Sequence, residues 1–235
     1  MTPVSDFVVV TCEHGGNRIP AEYEGYFRGW RRILATHRGF DAGALVMARQ
    51  LAIVLDAPLV ASTVSRLLID LNRSLDNRDV WSDASRALSP VVQQRILRRH
   101  YTPYRQRVAA IIHAAIARRR RVLHLSSHSF TPVLDGAVRM ADVGLLYDPA
   151  RPHEAALAAR WKSAVSAAAP HLRVRRNYPY AGKNDGLTSS LRRQFPKERY
   201  VGIEIELNQA LVAGDPRRWR QIRSTVISTL QAAMR

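Results

Sequence analysis

Short apolar runs rich in β-branched residues alternate with segments of helical spacing along this chain, and the alternation restricts the folds it can adopt. Strands are predicted at residues 7–12, 59–61, 65–71, 122–127, 143–147 and 200–207. Helices are predicted at residues 41–55, 90–118 (continuous, or broken near Pro103), 153–169, 187–195 and 215–234. Strands that alternate with helices form a mostly parallel sheet covered on both faces. We therefore expect one α/β domain across all 235 residues, with three α/β/α layers around a mixed, mostly parallel central sheet.

The composition argues against several classes of protein. Hydrophobic residues make up 46% of the chain, which is enough for a sizeable core. No run is long and apolar enough to cross a membrane, and no signal peptide is expected from residues 1–6. Cys12 is the single cysteine, so an internal disulfide is excluded and a reducing, cytoplasmic location is expected.

The formal net charge of +17 comes almost entirely from arginine. A charge of this size attracts anions, which are either nucleic acids or small anionic substrates. The arginines are scattered, and the one tight run, residues 118–121, has no interleaved aromatic residues that would stack on bases. We therefore expect a small anionic substrate and disfavour nucleic acid.

Polar side chains follow the apolar run that ends at Ile69, namely Asp70, Asn72 and Arg73. In open α/β sheets, ligands bind in the crevice outside the carboxyl ends of the strands. A guanidinium in that crevice matches a carboxylate with two parallel hydrogen bonds. The segment predicts a grip for a carboxylate-bearing substrate, with a structural ion pair between Asp70 and an arginine as the alternative.

Two histidines follow or end predicted strands, each beside small residues. His14 precedes two glycines, and His128 lies between two serines. Catalytic zinc usually takes three protein ligands from His, Asp or Glu and keeps one position for water. His14 and His128 supply two candidate ligands, and either Asp41 or Glu13 supplies the third.

A general base is expected on the last predicted strand. Glu204 and Glu206 are two residues apart there, so their side chains share one face. One of them is expected to act on the proton of a water, and the other to pair with a cation.

The chain resembles the N-formylglutamate amidohydrolase family, a branch of the zinc carboxypeptidase-like and aspartoacylase-like hydrolases. The matching stretches keep their joint order along the chain, at residues 12–20, 37–44, 65–73, 127–130, 177–182 and 202–208. The resemblance implies a carboxypeptidase-like fold and hydrolysis of a small N-formyl or N-acyl amino acid such as N-formylglutamate. It also implies one zinc ion as cofactor.

The resemblance also assigns metal ligands. His14 matches the first histidine ligand of the aspartoacylase-like relatives, and His128 matches the later one. Those relatives carry a glutamate three residues after the first histidine, where this chain has Asn17. The helix that begins at Asp41 resembles the one that carries their glutamate ligand, so Asp41 is expected as the third ligand here.

Roles in catalysis and substrate binding follow from the same resemblance. Glu206, which precedes a leucine, matches the catalytic glutamate, and Arg66 is expected to stabilise the oxyanion. Asn72 and Arg73 match the pair that holds the substrate carboxylate, and Tyr178 or Tyr180 is expected to close over the substrate. Two other classes stay open, a zinc peptidase or amidase acting on peptide or cell-wall substrates and a non-enzymatic basic binding protein.

Overall fold

A six-stranded mixed sheet lies at the centre of the computed structural model, which describes residues 6–235. The strands are β1 (Asp6–Cys12), β2 (Leu59–Ala61), β3 (Arg121–Phe130), β4 (Val133–Leu134), β5 (Ala137–Val138), β6 (Val143–Leu146), β7 (Val174–Arg176) and β8 (Tyr200–Asn208). Their order across the large sheet is β2-β1-β3-β8-β6-β7, while β4 and β5 form a separate hairpin. β6 is antiparallel to β8, and every other pairing in the large sheet is parallel. The predicted mixed, mostly parallel sheet is confirmed.

Helices cover both faces of this sheet. They are α1 (Arg31–Leu34), α2 (Ala44–Val54), α3 (Asp83–Arg86), α4 (Pro90–Ile96), α5 (Thr102–Ala117), α6 (Pro152–Ala168), α7 (Leu187–Gln194), α8 (Gln209–Ala213) and α9 (Pro216–Met234), with 3₁₀ turns at Ala21–Trp30 and Arg78–Val80. One core cluster joins α2, α6 and α9 to the sheet, and a second cluster joins α4, α5 and α7 to its other face. None of the helices in the described part of the chain is long and apolar enough to cross a membrane.

The helix predicted at residues 90–118 is continuous, and it widens just before Pro103. A π-helical segment, Leu97–Tyr101, joins α4 to α5, and the N–H of Thr102 donates to the carbonyl oxygen of Leu97. Proline lacks an N–H and its ring collides with the preceding turn of an α-helix. A wider turn accommodates that ring without breaking the helix.

The prediction of a strand at residues 65–71 is wrong, because the structure has none there. Val64 makes an isolated bridge with Arg18, and the chain then turns, with the N–H of Leu68 donating to the carbonyl oxygen of Ser65 at 3.0 Å. The hydroxyl of Ser65 also accepts from the N–H of Leu67 at 3.2 Å. The apolar side chains are buried as predicted, but local side-chain bonds of this kind give the backbone an alternative to a sheet ladder.

Three element bounds matter for the site. β3 extends to Phe130, so His128 lies within the strand and not after it. α2 begins at Ala44, three residues after Asp41, because Gly43 adopts a left-handed conformation with φ of 81°. The short edge strand β7 was not predicted, since its three residues carry too little periodicity to stand out.

Candidate functional site

Alternation along three neighbouring strands places one set of polar side chains on the same face of the sheet. Ser126 of β3 lies beside Thr11 of β1 and Glu204 of β8, and His128 lies beside Glu206. Because side chains two residues apart share a face, this row runs towards the carboxyl ends of the strands. The row supplies the floor of a cleft.

His14 and His128 converge on Asp41, and all three side chains are buried. Nδ1 of His128 lies 2.9 Å from Oδ2 of Asp41, and Nδ1 of His14 lies 3.3 Å from the same oxygen. The backbone holds Asp41 in place, because its N–H donates to the carbonyl oxygen of His14 at 2.9 Å. Three residues from distant parts of the chain thus present ligand atoms to one point.

Each histidine has a second carboxylate on its other ring nitrogen. Nε2 of His14 donates to Oδ1 of Asp70 at 2.7 Å, and Nε2 of His128 lies 3.1 Å from Oε2 of Glu13. Histidine ligands of metals almost always pass their second N–H to a carboxylate or carbonyl in this way. Glu13 therefore lies behind His128, on its Nε2 side, whereas Asp41 lies on the Nδ1 side that faces His14. The structure thus distinguishes Asp41 from Glu13 as the candidate third ligand.

The histidines and carboxylates of this cluster stabilise each other's charged forms. Burial raises the pKa of Asp41, but His14 and the hydrogen bond from His128 outweigh it and hold that pKa well below its usual range. Burial likewise opposes ionisation of Glu13, and the hydrogen bond from His128 lowers its pKa nonetheless. The pKa of His128 is raised against the effect of burial by its bonds to Asp41 and Glu13. The buried carboxylates are therefore charged at neutral pH.

The donor set fits a divalent metal ion. One ligand atom from each of His14, Asp41 and His128 lies within 4.8 Å of the others. Two imidazoles and one carboxylate are ligands that zinc accepts at catalytic sites. The buried group could therefore hold a metal ion.

Glu206 is the unsatisfied carboxyl of the site. Its Oε2 is buried and finds no hydrogen-bond partner among the described residues. Burial raises its pKa to about 8, and the nearby charges of Asp41 and Glu204 add to the effect against the opposing charge of His128. A buried polar atom without a partner marks a place where water, an ion or a substrate belongs.

Arg66 closes the cluster on its other side. Its guanidinium donates to Oδ2 of Asp70 at 2.7 Å and to Oδ1 of Asp41 at 3.3 Å. These carboxylates raise its pKa although burial opposes the charge. The structural ion pair that the sequence left open for Asp70 therefore forms with Arg66, while about a quarter of the Arg66 side chain (26%) stays exposed.

The predicted carboxylate grip lies in the same cleft. Nη1 of Arg73 donates to the backbone oxygen of Asp185 at 2.7 Å, and Oδ1 of Asn72 accepts from the N–H of Leu187 at 2.7 Å. Asp185 is fixed in turn by Ser74, whose N–H donates to its Oδ2 at 3.0 Å. The segment after Asp70 and the loop before α7 are thereby tied together.

The two predicted tyrosines occupy different places. Tyr180 lines the cleft, and its hydroxyl accepts from Arg139 at 3.0 Å. Tyr178 is not among the lining residues, and its hydroxyl accepts from the N–H of Met140 at 3.1 Å. Tyr178 therefore lies against Met140 outside the lining of the cleft, and Tyr180 is the one that can meet a substrate.

The cleft encloses about 140 Å³. It is lined by the predicted site residues except Tyr178 and the alternative ligand Glu13. The full lining is His14, Asp41, Arg66, Asn72, Arg73, His128, Ser129, Leu146, Tyr180, Ala181, Asn184, Asp185, Glu204 and Glu206. Sequence reasoning missed the anchoring role of Asp185, which has no signal beyond a polar loop. It also missed Ser126, whose hydroxyl donates to Glu13 at 2.7 Å and whose position two residues before His128 was the available clue.

Comparisons with known proteins identify structural relatives and a family for the chain. Two solved structures superpose along 98% of this chain: a gene product of Agrobacterium tumefaciens (28% identity, 91% of that chain, TM-score 0.83) and an N-formylglutamate amidohydrolase from Ralstonia eutropha (21% identity, 94% of that chain, TM-score 0.73). No curated protein matches significantly. The family model of N-formylglutamate amidohydrolase matches residues 7–213, which is most of the chain. The chain therefore belongs to the N-formylglutamate amidohydrolase family, whose members hydrolyse amide bonds.

Proposed function

We propose that this protein is a metal-dependent amidohydrolase that cleaves the amide of a small N-formyl or N-acyl amino acid, releasing a carboxylate and the amino acid. The observation that carries the proposal is the position of Glu206. Its partnerless carboxyl lies beside His128, in a cleft that Arg73 also lines. A potential proton acceptor, a metal-binding group and a carboxylate grip then share one small space.

His14, Asp41 and His128 would hold the ion, and their donor set of two imidazoles and one carboxylate suits zinc. The ion would supply Lewis-acid polarisation of the carbonyl and a lowered pKa for water. Asp70 and Glu13 fix the two imidazole rings from behind through their hydrogen bonds. The chain's own contribution at this point is therefore a rigid, negatively charged set of ligands.

Glu206 takes the proton of the attacking water and passes it to the leaving nitrogen. A general base works best when its pKa lies near the working pH, and burial has moved the pKa of Glu206 to about 8 in that direction. Arg66 keeps part of its side chain open to the cleft beside Asp41 and can stabilise negative charge on the carbonyl oxygen.

Arg73 and Asn72 hold the carboxylate of the substrate. Asn72 uses its oxygen to accept from Leu187, which leaves its NH₂ group as the donor available to a ligand. Arg73 donates one N–H to the backbone oxygen of Asp185, and its guanidinium has four other N–H groups.

The test is hydrolysis of a panel of N-formyl and N-acyl amino acids by the zinc-loaded protein. Glu206→Gln should lower kcat by roughly two to four orders of magnitude while the protein still binds metal. Arg73→Ala should act mainly through KM, because the carboxylate is present in both the ground state and the transition state. Glu198→Gln, at an exposed position, is the matched control for loss of a carboxyl.

No amino acid released from any substrate, with zinc bound in stoichiometric amount, would contradict the proposed reaction. Full activity of the Glu206→Gln variant together with inactivity of Glu204→Gln would instead move the base to the other glutamate of β8.

A further inference from the structure

A second pocket lies beside β2, at the edge of the large sheet, and it shares no lining residue with the cleft. It encloses about 310 Å³. One wall is formed by residues 60–64, and the other comes from the π-helical segment and the start of α5. The pocket is therefore a separate space, and the proposed reaction does not use it.

The charge of this pocket is positive. Arg18, Arg99 and Arg107 line it, and no aspartate or glutamate is among the described residues that do. Arg99 forms an ion pair with Glu22, with 3.1 Å between Nη1 and Oε1. Arg18 and Arg107 form no ion pair with a carboxylate of residues 6–235. Two guanidinium groups thus remain available to an anion, and the guanidinium fork matches carboxylate or phosphate oxygens.

His100 adds a buried polar atom to the same lining. Its Nε2 is buried and finds no hydrogen-bond partner in the described part of the chain. The ring of Tyr23 meets the His100 ring edge to face with 6.0 Å between the centroids, and the Tyr23 hydroxyl is likewise buried and without a partner there. Polar atoms of this kind mark a place where water, an ion or a ligand belongs.

His100 is neutral at physiological pH. Burial lowers its pKa first, and the charges of Arg18 and Arg99 lower it further against the opposing charge of Glu22. A neutral imidazole carries one N–H, which donates a hydrogen bond. The pocket therefore offers guanidinium groups and an uncharged donor to the same ligand.

The local backbone and one neighbour set this pocket apart from a chance cluster of surface arginines. Arg99 and His100 belong to the π-helical segment, and π-helical turns are rare and frequently occur at functional sites. Tyr104, further along the same helix, also lines the pocket, and its hydroxyl donates to Oε1 of Glu13 at 2.9 Å. Tyr104 thereby connects the pocket to the carboxylate that supports His128.

From these features we propose that the pocket is a second anion site, which binds a phosphate group as free phosphate or as the phosphate monoester of a small molecule. A phosphate monoester carries about two negative charges at neutral pH and three acceptor oxygens. Arg18 and Arg107 neutralise those charges, and the N–H of His100 donates to a remaining oxygen. A single carboxylate has fewer oxygens and half the charge, so it uses this donor set less completely.

Calorimetric titration of the chelator-treated protein with inorganic phosphate and with phenyl phosphate tests the site. Chelation removes any metal ion that would bind phosphate in the cleft, and Arg73→Ala removes the guanidinium grip there. We expect one saturable binding event that persists in Arg73→Ala. Binding of phenyl phosphate identifies a monoester site, and binding of inorganic phosphate alone identifies a site for the free ion.

The double variant Arg18→Gln/Arg107→Gln should weaken this binding by about tenfold or more, because hydrogen bonds from charged donors are lost. Both arginines are exposed, so the variant should fold. His100→Phe keeps a ring beside Tyr23 and removes both nitrogens, and it should weaken binding as well. The matched control is Arg98→Gln, which removes one exposed charge next to Arg99 but outside the lining and should change Kd by less than about threefold.

Four results would overturn the inference. They are the absence of saturable phosphate binding, equal affinity for acetate, loss of the binding event in Arg73→Ala, and an affinity that the double variant or His100→Phe leaves unchanged. An Arg98→Gln effect as large as that of the double variant would also overturn it, because phosphate would then respond to the overall positive charge and not to this pocket.

Discussion

A buried carboxyl without a partner should destabilise the metal-free protein whenever it is charged, and Glu206 is such a group. Its pKa is raised from 4.5 to about 8, first by burial and then by the charges of Asp41 and Glu204. Each tenfold change in ionisation corresponds to about 1.4 kcal/mol, so the full shift corresponds to about 5 kcal/mol at high pH. Water in the cleft screens part of the charge, and we expect about 2–5 kcal/mol.

The direction in which pH changes the unfolding free energy follows from proton binding by Glu206. Between pH 4.5 and about 8, the folded protein keeps the proton on Glu206 while the unfolded chain has released it. The stability contributed by this group is therefore complete below pH 4.5 and is lost as the pH rises through about 8. Glu206→Gln carries no such proton, so its advantage over the wild type should grow across this range.

Urea unfolding of chelator-treated protein at about pH 5 and about pH 9 measures this effect. The difference in unfolding free energy between Glu206→Gln and wild type is the relevant quantity, because every other titrating group is common to both. Glu198→Gln controls for removing a carboxyl at the surface. A difference that is the same at both pH values would refute the reasoning, and it would mean that Glu206 is solvated or paired in the folded protein.

The remaining predictions concern the candidate metal ligands and the buried ion pair between Arg192 of α7 and Glu154 of α6. Asp41→Asn should weaken zinc affinity more than Glu13→Gln, because Asp41 faces both Nδ1 atoms while Glu13 only supports His128 from behind; for Glu13→Gln we expect a loss of about 10–100-fold. Competition with a chelating dye measures both affinities, and the reverse order would make Glu13 the ligand. Arg192→Met should lower the unfolding free energy by about 3–5 kcal/mol, since it leaves Glu154 charged and buried. In urea unfolding, the double variant with Glu154→Leu should recover part of that loss, and no recovery would show that the loss is one of packing.

Most of the sheet was predictable because its longer strands are short apolar runs rich in β-branched residues, which is typical of buried strands. The run that became β1, for example, is apolar at nearly every position and follows the expected bounds within one residue. The segment at residues 65–71 is equally apolar but turns. Its burial was predictable, whereas its backbone depended on hydrogen bonds that Ser65 accepts from the N–H groups of Leu67 and Leu68, and on the N–H of Asp70 donating to the carbonyl oxygen of Val80 at 2.9 Å. Periodicity carries no information about those bonds.

The candidate metal ligands were also predictable only in part. His14, Asp41 and His128 could be named from their residue types, their positions near element ends and the family resemblance, and the structure brings them together. That Glu13 stands behind His128 could not be named, because it depends on the parallel register of β1 and β3. Adjacent residues in an extended chain face opposite ways, so the choice of His14 as a ligand already disfavoured Glu13 as a second ligand, but it did not predict that Glu13 would pair with His128.

The register also explains why the last strand holds both glutamates at the site. Pairing of β3 with β8 puts Glu206 next to His128 and Glu204 next to Ser126, so one shared face carries the candidate metal ligand His128 and both glutamates. A shift of one residue in this register would turn all of these side chains into the apolar core on the other face. The core residues that alternate with them, Ile203 and Ile205, are fully buried there and oppose such a shift. Hydrophobic packing on one face of β8 therefore fixes the chemistry on the other.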